Sequence, residues 1–441
     1  MTSLRTFVSS RLRTGPVVRV VQPLRDFLAT EAASGVLLVV AAVAAMVWAN
    51  SPWKGSYESL WSSEISLRVA GRSLVLDLRH WVNDGLMTLF FFVVGLEIKR
   101  EVSVGELKDP RRAALPALAA LGGMVVPALM FVAVNLGGTG VRGWGIPMAT
   151  DIAMALGVLA LIGSRVHPSL KLFLLALAIV DDIGAIVVIA VFYSKSINVT
   201  MLVASVALIV AVVVAKTLGV SGVGVYVVLG TLLWFTVHEA GVHATIAGVI
   251  LGLLAPTTAI VASHQIDEAV LADVSSYSAA SETVRMARQS VSVVEWLEHR
   301  LHPWTSYAIV PIFAFANAGI SISFSAVSAA ASSRITLGVI LGLVVGKTVG
   351  ITVASWVAVR TRVAILPDGL TWGSIVGVAS LAGIGFTVSL FVAGLAYDDA
   401  ALDAQAKMGI LAATVAAALL GTLALRFGSG PARDEVLASV L

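Results

Sequence analysis

The chain has 441 residues, 58% of them hydrophobic and only 12% charged, with a formal net charge of +3. A soluble domain carries about 25% charged residues, so an ordinary soluble fold is excluded, and so small a net charge argues against a nucleic-acid partner. Cysteine is absent, which excludes a disulfide framework and a thiolate metal site.

Mean hydropathy is +0.95, and apolar runs recur that can each cross about 30 Å of hydrocarbon as a helix. Spans are expected near 31–49, 82–98, 113–136, 145–163, 170–193, 199–217, 223–237, 242–256, 303–322, 335–358, 373–396 and 408–426, about twelve in all. A strand barrel would alternate apolar and polar residues instead. The expected fold class is therefore an all-α polytopic membrane protein. Residues 1–24 carry Arg5, Arg11, Arg13 and Arg19 without the apolar core of a cleavable signal. They read as a basic N-terminal extension, 25–430 as the membrane domain and 431–441 as a tail.

Between the first two spans, "EISLRVAGRSLVLDL" alternates Ile65, Leu67 and Val69, then Leu74, Leu76 and Leu78, around "AGR". Period two around a turn predicts a small extramembrane β-hairpin over 62–79. An isolated hairpin is marginal in water, so pairing with a second copy is expected; a loop lying on the membrane surface is the plainer alternative. Further on, 257–301 is the long polar loop, and 282–300 reads as a surface helix.

Lys99, Arg100, Lys108, Arg111 and Arg112 follow span two, Arg165 and Lys171 span four, and Arg360 and Arg362 span ten. With twelve spans all share one side with the basic N-terminus, which places both termini in the cytoplasm. "YDDAALD" after span eleven is acidic and opposite; Arg68, Arg72 and Arg79 in the first outer loop run against the bias.

Few ionisable groups lie deep in these spans: Asp151, Asp181, Asp182 and Lys347. Each central charge costs about 2.5–3.5 kcal/mol on insertion scales, so the fifth span carries a penalty of about 5–7 kcal/mol for its two acids. Leu, Ile, Val and Phe return about 0.3–0.6 kcal/mol each, and roughly ten of them offset most of it. Salt-bridged glue between helices is the plain explanation. Three acids and one base cannot all pair, however, and intramembrane charges tend to mark ion or proton paths. Neighbours on a helix point about 100° apart, so Asp181 and Asp182 divide. One faces a cavity with Asp151 and the other meets Lys347.

Two spans look interrupted. "WGIPMATDIAMALG" holds Pro147 and Thr150–Asp151, and "SLAGIGFTVSLF" holds Gly383, Gly385 and Thr387. Broken helices are tolerated only in the protein interior or along a cavity. Matching interruptions in two halves point to inverted repeats with a midplane site. Crossed half-helices bring like dipole ends together, so Asp151 suits the positive ends and Lys347 the negative ones.

The stretches "VNDGLMTLFFFVVGLEIKRE" (82–101), "PMATDIAMALGVLALIGSRV" (147–166), "LALAIVDDIGAIVVIAVFY" (175–193), "GVHATIAGVI" (241–250), "LEHRLHPW" (297–304), "FAFANAG" (313–319), "GKTVGI" (346–351) and "GIGFTVSLF" (383–391) resemble the NhaA family of bacterial sodium/proton antiporters. That family is itself an established instance of inverted repeats with two discontinuous helices crossing at the midplane. The resemblance implies a transporter of the bacterial inner membrane, not an enzyme, exchanging Na+ or Li+ for protons without a cofactor. It implies ion binding at Asp182, with Asp151 and Thr150 nearby, and pairing of Asp181 with Lys347. It ties Glu97, Glu101, His243, Glu298 and His299 to pH sensing near the cytoplasmic mouth or loops, and implies a homodimer through the hairpin. The 257–301 loop and the N-terminal extension depart from the family pattern.

On helix pattern alone, Glu97 and Glu101 beside Lys99 and Arg100 make a solvated, salt-bridged face, and His243 caps a helix near the outer face. Na+ is a hard cation that prefers oxygen ligands. A carboxylate holds a proton or a Na+ ion but hardly both. Competition at Asp182 with alternating access is the expected mechanism, and two titrating groups per Na+ would make it electrogenic. A cation channel also needs membrane acids, but it has no use for broken paired helices or Lys347.

Overall fold

The computed structural model describes residues 31–69, 72–163, 167–194, 196–220, 222–257 and 292–428. The N-terminal extension, the C-terminal tail and most of the 257–301 loop fall outside the described residues.

α1 (Glu31–Ala49) turns sharply, by 116°, into the short α2 (Lys54–Trp61). Buried Tyr57 holds α2 down by donating to the carbonyl of Phe315 at 2.8 Å. β1 (Glu64–Val69) and β2 (Arg72–Asp77) pair antiparallel with Ile65 opposite Leu76 and Leu67 opposite Leu74. That is the register the alternation requires, since a slip of one residue would reverse the faces. Leu78, expected in the second strand, starts a helical turn instead. Asp77 accepts from the His80 amide at 2.7 Å and so caps that turn.

A π-helical turn (Trp81–Leu86) leads into α3 (Met87–Ser103), followed by α4 (Pro110–Asn135). Next come a 3-10 segment (Thr139–Met148), α5 (Ile152–Ile162), α6 (Pro168–Phe192), α7 (Val199–Thr217), α8 (Val223–Glu239) and α9 (Thr245–Leu254). α10 (Val293–Trp304) continues through a π turn (Thr305–Ile309) into α11 (Val310–Asn317), then α12 (Phe324–Ser332) and α13 (Arg334–Ile340). A third π turn (Leu341–Gly346) precedes α14 (Lys347–Arg360), α15 (Trp372–Leu381), α16 (Phe386–Ala396) and α17 (Ala400–Gly428).

Every expected span has a helical counterpart. Six are unbroken helices long and apolar enough to cross a membrane. The two interrupted spans are bent pairs: the 3-10 segment with α5 at 46°, and α15 with α16 at 47°. The first half of span four is 3-10 rather than α-helical. The surface helix expected over 282–300 begins only at Val293, and its earlier part lies outside the described residues.

Leu129, Leu161, Val191 and Val203 face outward, as lipid requires. Hydrocarbon gives helices no hydrophobic drive to associate, so close backbone approach does the work. α4 crosses α14 where Gly122 and Gly350 meet, and a Cβ on either would strike the other's backbone. α3 crosses α9 similarly, and a Cβ on Gly95 would lie 2.7 Å from the Val249 carbonyl oxygen. These crossings fix a frame with two ends. One carries the hairpin; the other carries Lys99–Arg112, Lys171 and Arg360, and is called the basic-loop side below.

Candidate functional site

The two interruptions lie against each other. The Asp151 amide donates to the Ile384 carbonyl at 2.6 Å, joining one break to the other. Ser389 Oγ donates to the Ile146 carbonyl at 2.7 Å, and Thr150 Oγ1 lies 3.0 Å from the Ala382 carbonyl oxygen. Pro147 with Thr150–Asp151 ends the first half-helix, and "AGIG" (382–385) ends the second. In both, small or capping residues leave backbone groups that only the opposite break satisfies.

Asp151 is the N-cap of α5 and accepts from the Met154 amide at 3.0 Å. Its other oxygen accepts from the Thr387 amide at 3.0 Å and from Thr387 Oγ1 at 2.7 Å, at the first turn of α16. Two helix N-termini thus face one carboxylate. Each carries about half a positive charge, so together they offset roughly one negative charge.

Lys347 and Asp181 form an ion pair, with the lysine fully enclosed. Thr150 Oγ1 accepts from Lys347 Nζ at 2.8 Å and lies 2.6 Å from Asp181 Oδ2. The lysine meets the C-terminal end of α15 only through Thr150, because the carboxylate takes its ammonium directly. Asp181 Oδ1 has no donor among the described residues.

Asp182 is 4% exposed, and its carboxylate makes no hydrogen bond or ion pair with the described residues. It lines a cavity of about 350 Å³ together with Asp151, Thr150, Thr387 and Glu97. The structure divides the two adjacent acids as helical geometry requires, Asp181 to Lys347 and Asp182 to the cavity. With Asp181 paired and Asp151 held by two helix ends, Asp182 is the uncompensated acid of these three.

The cavity reaches towards the basic-loop side, where half-exposed Glu97 and exposed His302 line it. Towards the hairpin end, outside the cavity's own lining, aromatic side chains tie the elements together. Tyr193 Oη donates to the Arg142 carbonyl at 2.8 Å and accepts from the Gly145 amide at 3.1 Å. Tyr397 Oη donates to the Gly140 carbonyl at 2.6 Å. Phe391 stands between, 5.6 Å from Phe91 and 6.2 Å from Phe313, ring centre to ring centre.

The solvated face expected for Glu97 and Glu101 is corrected. α10 packs over α3 and buries Glu101 and Glu298, which share Arg100. Glu97, one turn away, turns into the cavity. His299 on α10 is exposed. His243 stands apart from this group. Its Nε2 lies 3.1 Å from the carbonyl oxygen of Tyr193, at the hairpin end of α6, the end opposite the Glu101–Arg100–Glu298 group.

Several lining residues were not singled out from the sequence: Ser34, His302, Ser306 and Tyr307. His302 falls inside "LEHRLHPW", and Thr387 inside the glycine-rich break. Ser34 and Ser306 offer no signal beyond a hydroxyl among apolar neighbours.

Comparison with known proteins bears on this arrangement. Residues 25–425 match the family described as Na+/H+ antiporter 1. A Frankia alni protein named Na(+)/H(+) antiporter NhaA 3 is 46% identical over 429 residues, covering 95% of this chain and 92% of its own. Acidiphilium cryptum Na(+)/H(+) antiporter NhaA 1 is 45% identical, covering 93% of each chain. Oleidesulfovibrio alaskensis Na(+)/H(+) antiporter NhaA is 44% identical, covering 93% of this chain and 95% of its own.

Proposed function

The chain belongs to the Na+/H+ antiporter 1 family, and from that premise we propose how its residues carry out the exchange of Na+ for protons across a membrane. Asp182 is the exchange site. The single observation behind this choice is that, of the three acids buried at the helix crossing, it alone has neither ion pair nor hydrogen-bond donor among the described residues. Deprotonated, it offers a hard oxygen ligand to Na+ or Li+; protonated, it releases the ion. Thr150 and Asp151 border the same cavity, Asp151 supplying fixed negative charge. Asp181 and Lys347 form the neighbouring buried pair, whose proton content couples to Asp182 through proximity.

The cavity faces the basic-loop side, which the excess of Lys and Arg assigns to the cytoplasm. Both termini share that side, in the inner membrane of a bacterium. Na+ enters there once Asp182 has lost its proton. Opening towards the hairpin requires the Tyr193 and Tyr397 bonds to part, and periplasmic protons then displace the ion. Two protons per Na+ make the cycle electrogenic, driven by proton gradient and membrane potential. The reading includes no enzymatic step and no cofactor. The test is Na+-dependent collapse of a pH gradient in everted vesicles, repeated with Li+ and K+. A gradient that collapses equally without added Na+ or Li+ rejects it.

pH regulation is proposed for the Glu101–Arg100–Glu298 cluster with His299 beside it. Burial pushes the Glu298 carboxyl above the usual carboxylate range, opposed by Arg100 and reinforced by Glu101. An acid raised in the folded state contributes stability that is present below its unfolded pKa. That stability is lost as pH climbs through the raised value. The α10–α3 contact therefore loosens as pH rises across that window. Hydrogen exchange over 293–304, corrected for its intrinsic pH dependence, is expected to quicken with alkalinity and to flatten in Glu298→Gln. Equal slopes in both proteins count against the cluster.

Dimerisation through the hairpin is the remaining part of this reading. β1 and β2 form a two-stranded sheet with both outer edges free of further strands among the described residues. Such edges accept another chain. Replacing 64–77 by a short polar loop is expected to convert cross-linkable dimers into monomers while retaining exchange; unchanged cross-linking would place the interface elsewhere.

A further inference from the structure

The cavity beneath the mouth holds more free oxygen than one ion position uses. Among its polar lining groups, Thr150, Asp151 and Thr387 are occupied by the helix crossing. Thr305 Oγ1 donates to the His302 carbonyl at 2.9 Å. The Glu97 carboxylate and the Ser306 hydroxyl, like that of Asp182, meet no partner among the described residues.

Helical hydroxyls without a partner among the described residues occur elsewhere, at Thr352, Ser355 and Thr414, but of these four Ser306 is the one that lines the cavity. Helical hydroxyls here commonly donate one turn back: Ser205 to Met201, Thr348 to Val344, Ser380 to Val376 and Thr422 to Ala418, at 2.7–2.9 Å. One turn back from Ser306, the His302 carbonyl already takes Thr305. Ser306 also sits in the π turn Thr305–Ile309, and single π turns are frequent at functional sites. Its hydroxyl therefore stays available to the cavity.

Neither lysine nor arginine lines this space, while Glu97, Asp151 and Asp182 do, a lining whose charge favours cations. At about 30 Å³ of liquid per water molecule, a volume of about 350 Å³ holds on the order of ten waters. An alkali ion can enter with part of its hydration shell.

We propose that Glu97 and Ser306 form a second cation position in this cavity, on the mouth side of Asp182, where Na+ or Li+ sheds part of its water before reaching Asp182. The proposal rests on the antiport reading above and adds a station to it. Glu97 supplies charge from α3, Ser306 a neutral oxygen from the facing π turn, and Asp182 the final exchange. Dehydration is split into two steps, which lowers the barrier to each.

The test is the initial rate of exchange against Na+ concentration, in vesicles carrying the full chain, at each of several pH values. At the pH of greatest activity, Glu97→Gln is expected to raise KM for Na+ about tenfold and Ser306→Ala about threefold, as loss of a charged and a neutral oxygen contact imply. In both, the rise in KM exceeds any fall in maximal rate, and Ser306→Thr restores the parental KM. Parental KM in both variants at that pH, with Glu97→Gln only moving the pH profile along its axis, overturns the proposal; Glu97 is then a titration sensor alone. A parent chain lacking Na+-dependent exchange would instead overturn the antiport reading, which keeps the two failures distinct.

Discussion

Asp182→Asn abolishes Na+-dependent proton exchange in everted vesicles, with a loss of at least about a hundredfold, or about 2.8 kcal/mol, in transport efficiency. An amide has no exchangeable carboxyl proton and brings no charge to a hard cation, so both halves of the exchange fail together. The same substitution should not weaken the fold. Asp182 is 4% exposed, and neither ion pair nor hydrogen bond from the described residues compensates it. A central charge in a membrane helix costs about 2.5–3.5 kcal/mol, and the amide removes that cost. A melting temperature equal to or above the parent's is the expected companion result. Parental exchange in Asp182→Asn, with the protein folded, would remove the central assignment. A fall in melting temperature would show that the carboxylate has a structural partner after all.

Lys347→Met is expected to be the most destabilising single change at the site. It leaves Asp181 buried without counter-charge, and breaking one side of a buried pair costs about 3–5 kcal/mol. Thr150 loses its donor as well, since Lys347 Nζ gives it a 2.8 Å hydrogen bond. The double variant Asp181→Asn, Lys347→Met replaces the pair by neutral groups of similar volume, and such replacements are often near neutral in stability. Thermal unfolding in detergent should place the double variant closer to the parent than to Lys347→Met. If the two effects simply add, the pair is not coupled in the way its geometry requires. Exchange measured on the same variants separates scaffold from proton carriage. A double variant that is stable yet changes the number of protons moved per Na+ assigns one of them to this pair.

Much of the architecture was legible in residues. Apolar runs gave the spans, and period two around "AGR" gave the hairpin with its register. Pro147 with Thr150–Asp151, and Gly383 with Gly385 and Thr387, marked both breaks. The 100° step per residue already separates Asp181 from Asp182. Other features were not legible, because they depend on hydrogen-bond registers that local sequence does not specify. Thr139–Met148 is 3-10 and three helices carry π turns, yet all read simply as apolar helix. Glu101 looked solvated because its own helix says nothing of α10, which is distant in sequence and covers it. The lining role of Ser306 and Ser34 likewise follows from which helices meet, not from any motif. The hydrogen bonds of Tyr193 and Tyr397 to the 3-10 segment left no trace beyond two aromatic residues at span ends.

The stitching between the two interrupted helices has a mechanical consequence. Backbone and side-chain bonds run across both breaks, from Asp151 to Ile384 and Thr387 and from Ser389 to Ile146. While those bonds hold, the four half-helices travel as one piece when the protein changes the side it faces. Were they free to shift separately, both doors could stand ajar at once, and protons would slip through unaccompanied by sodium. The fidelity of the exchanger, as opposed to its speed, is held in those few cross-links.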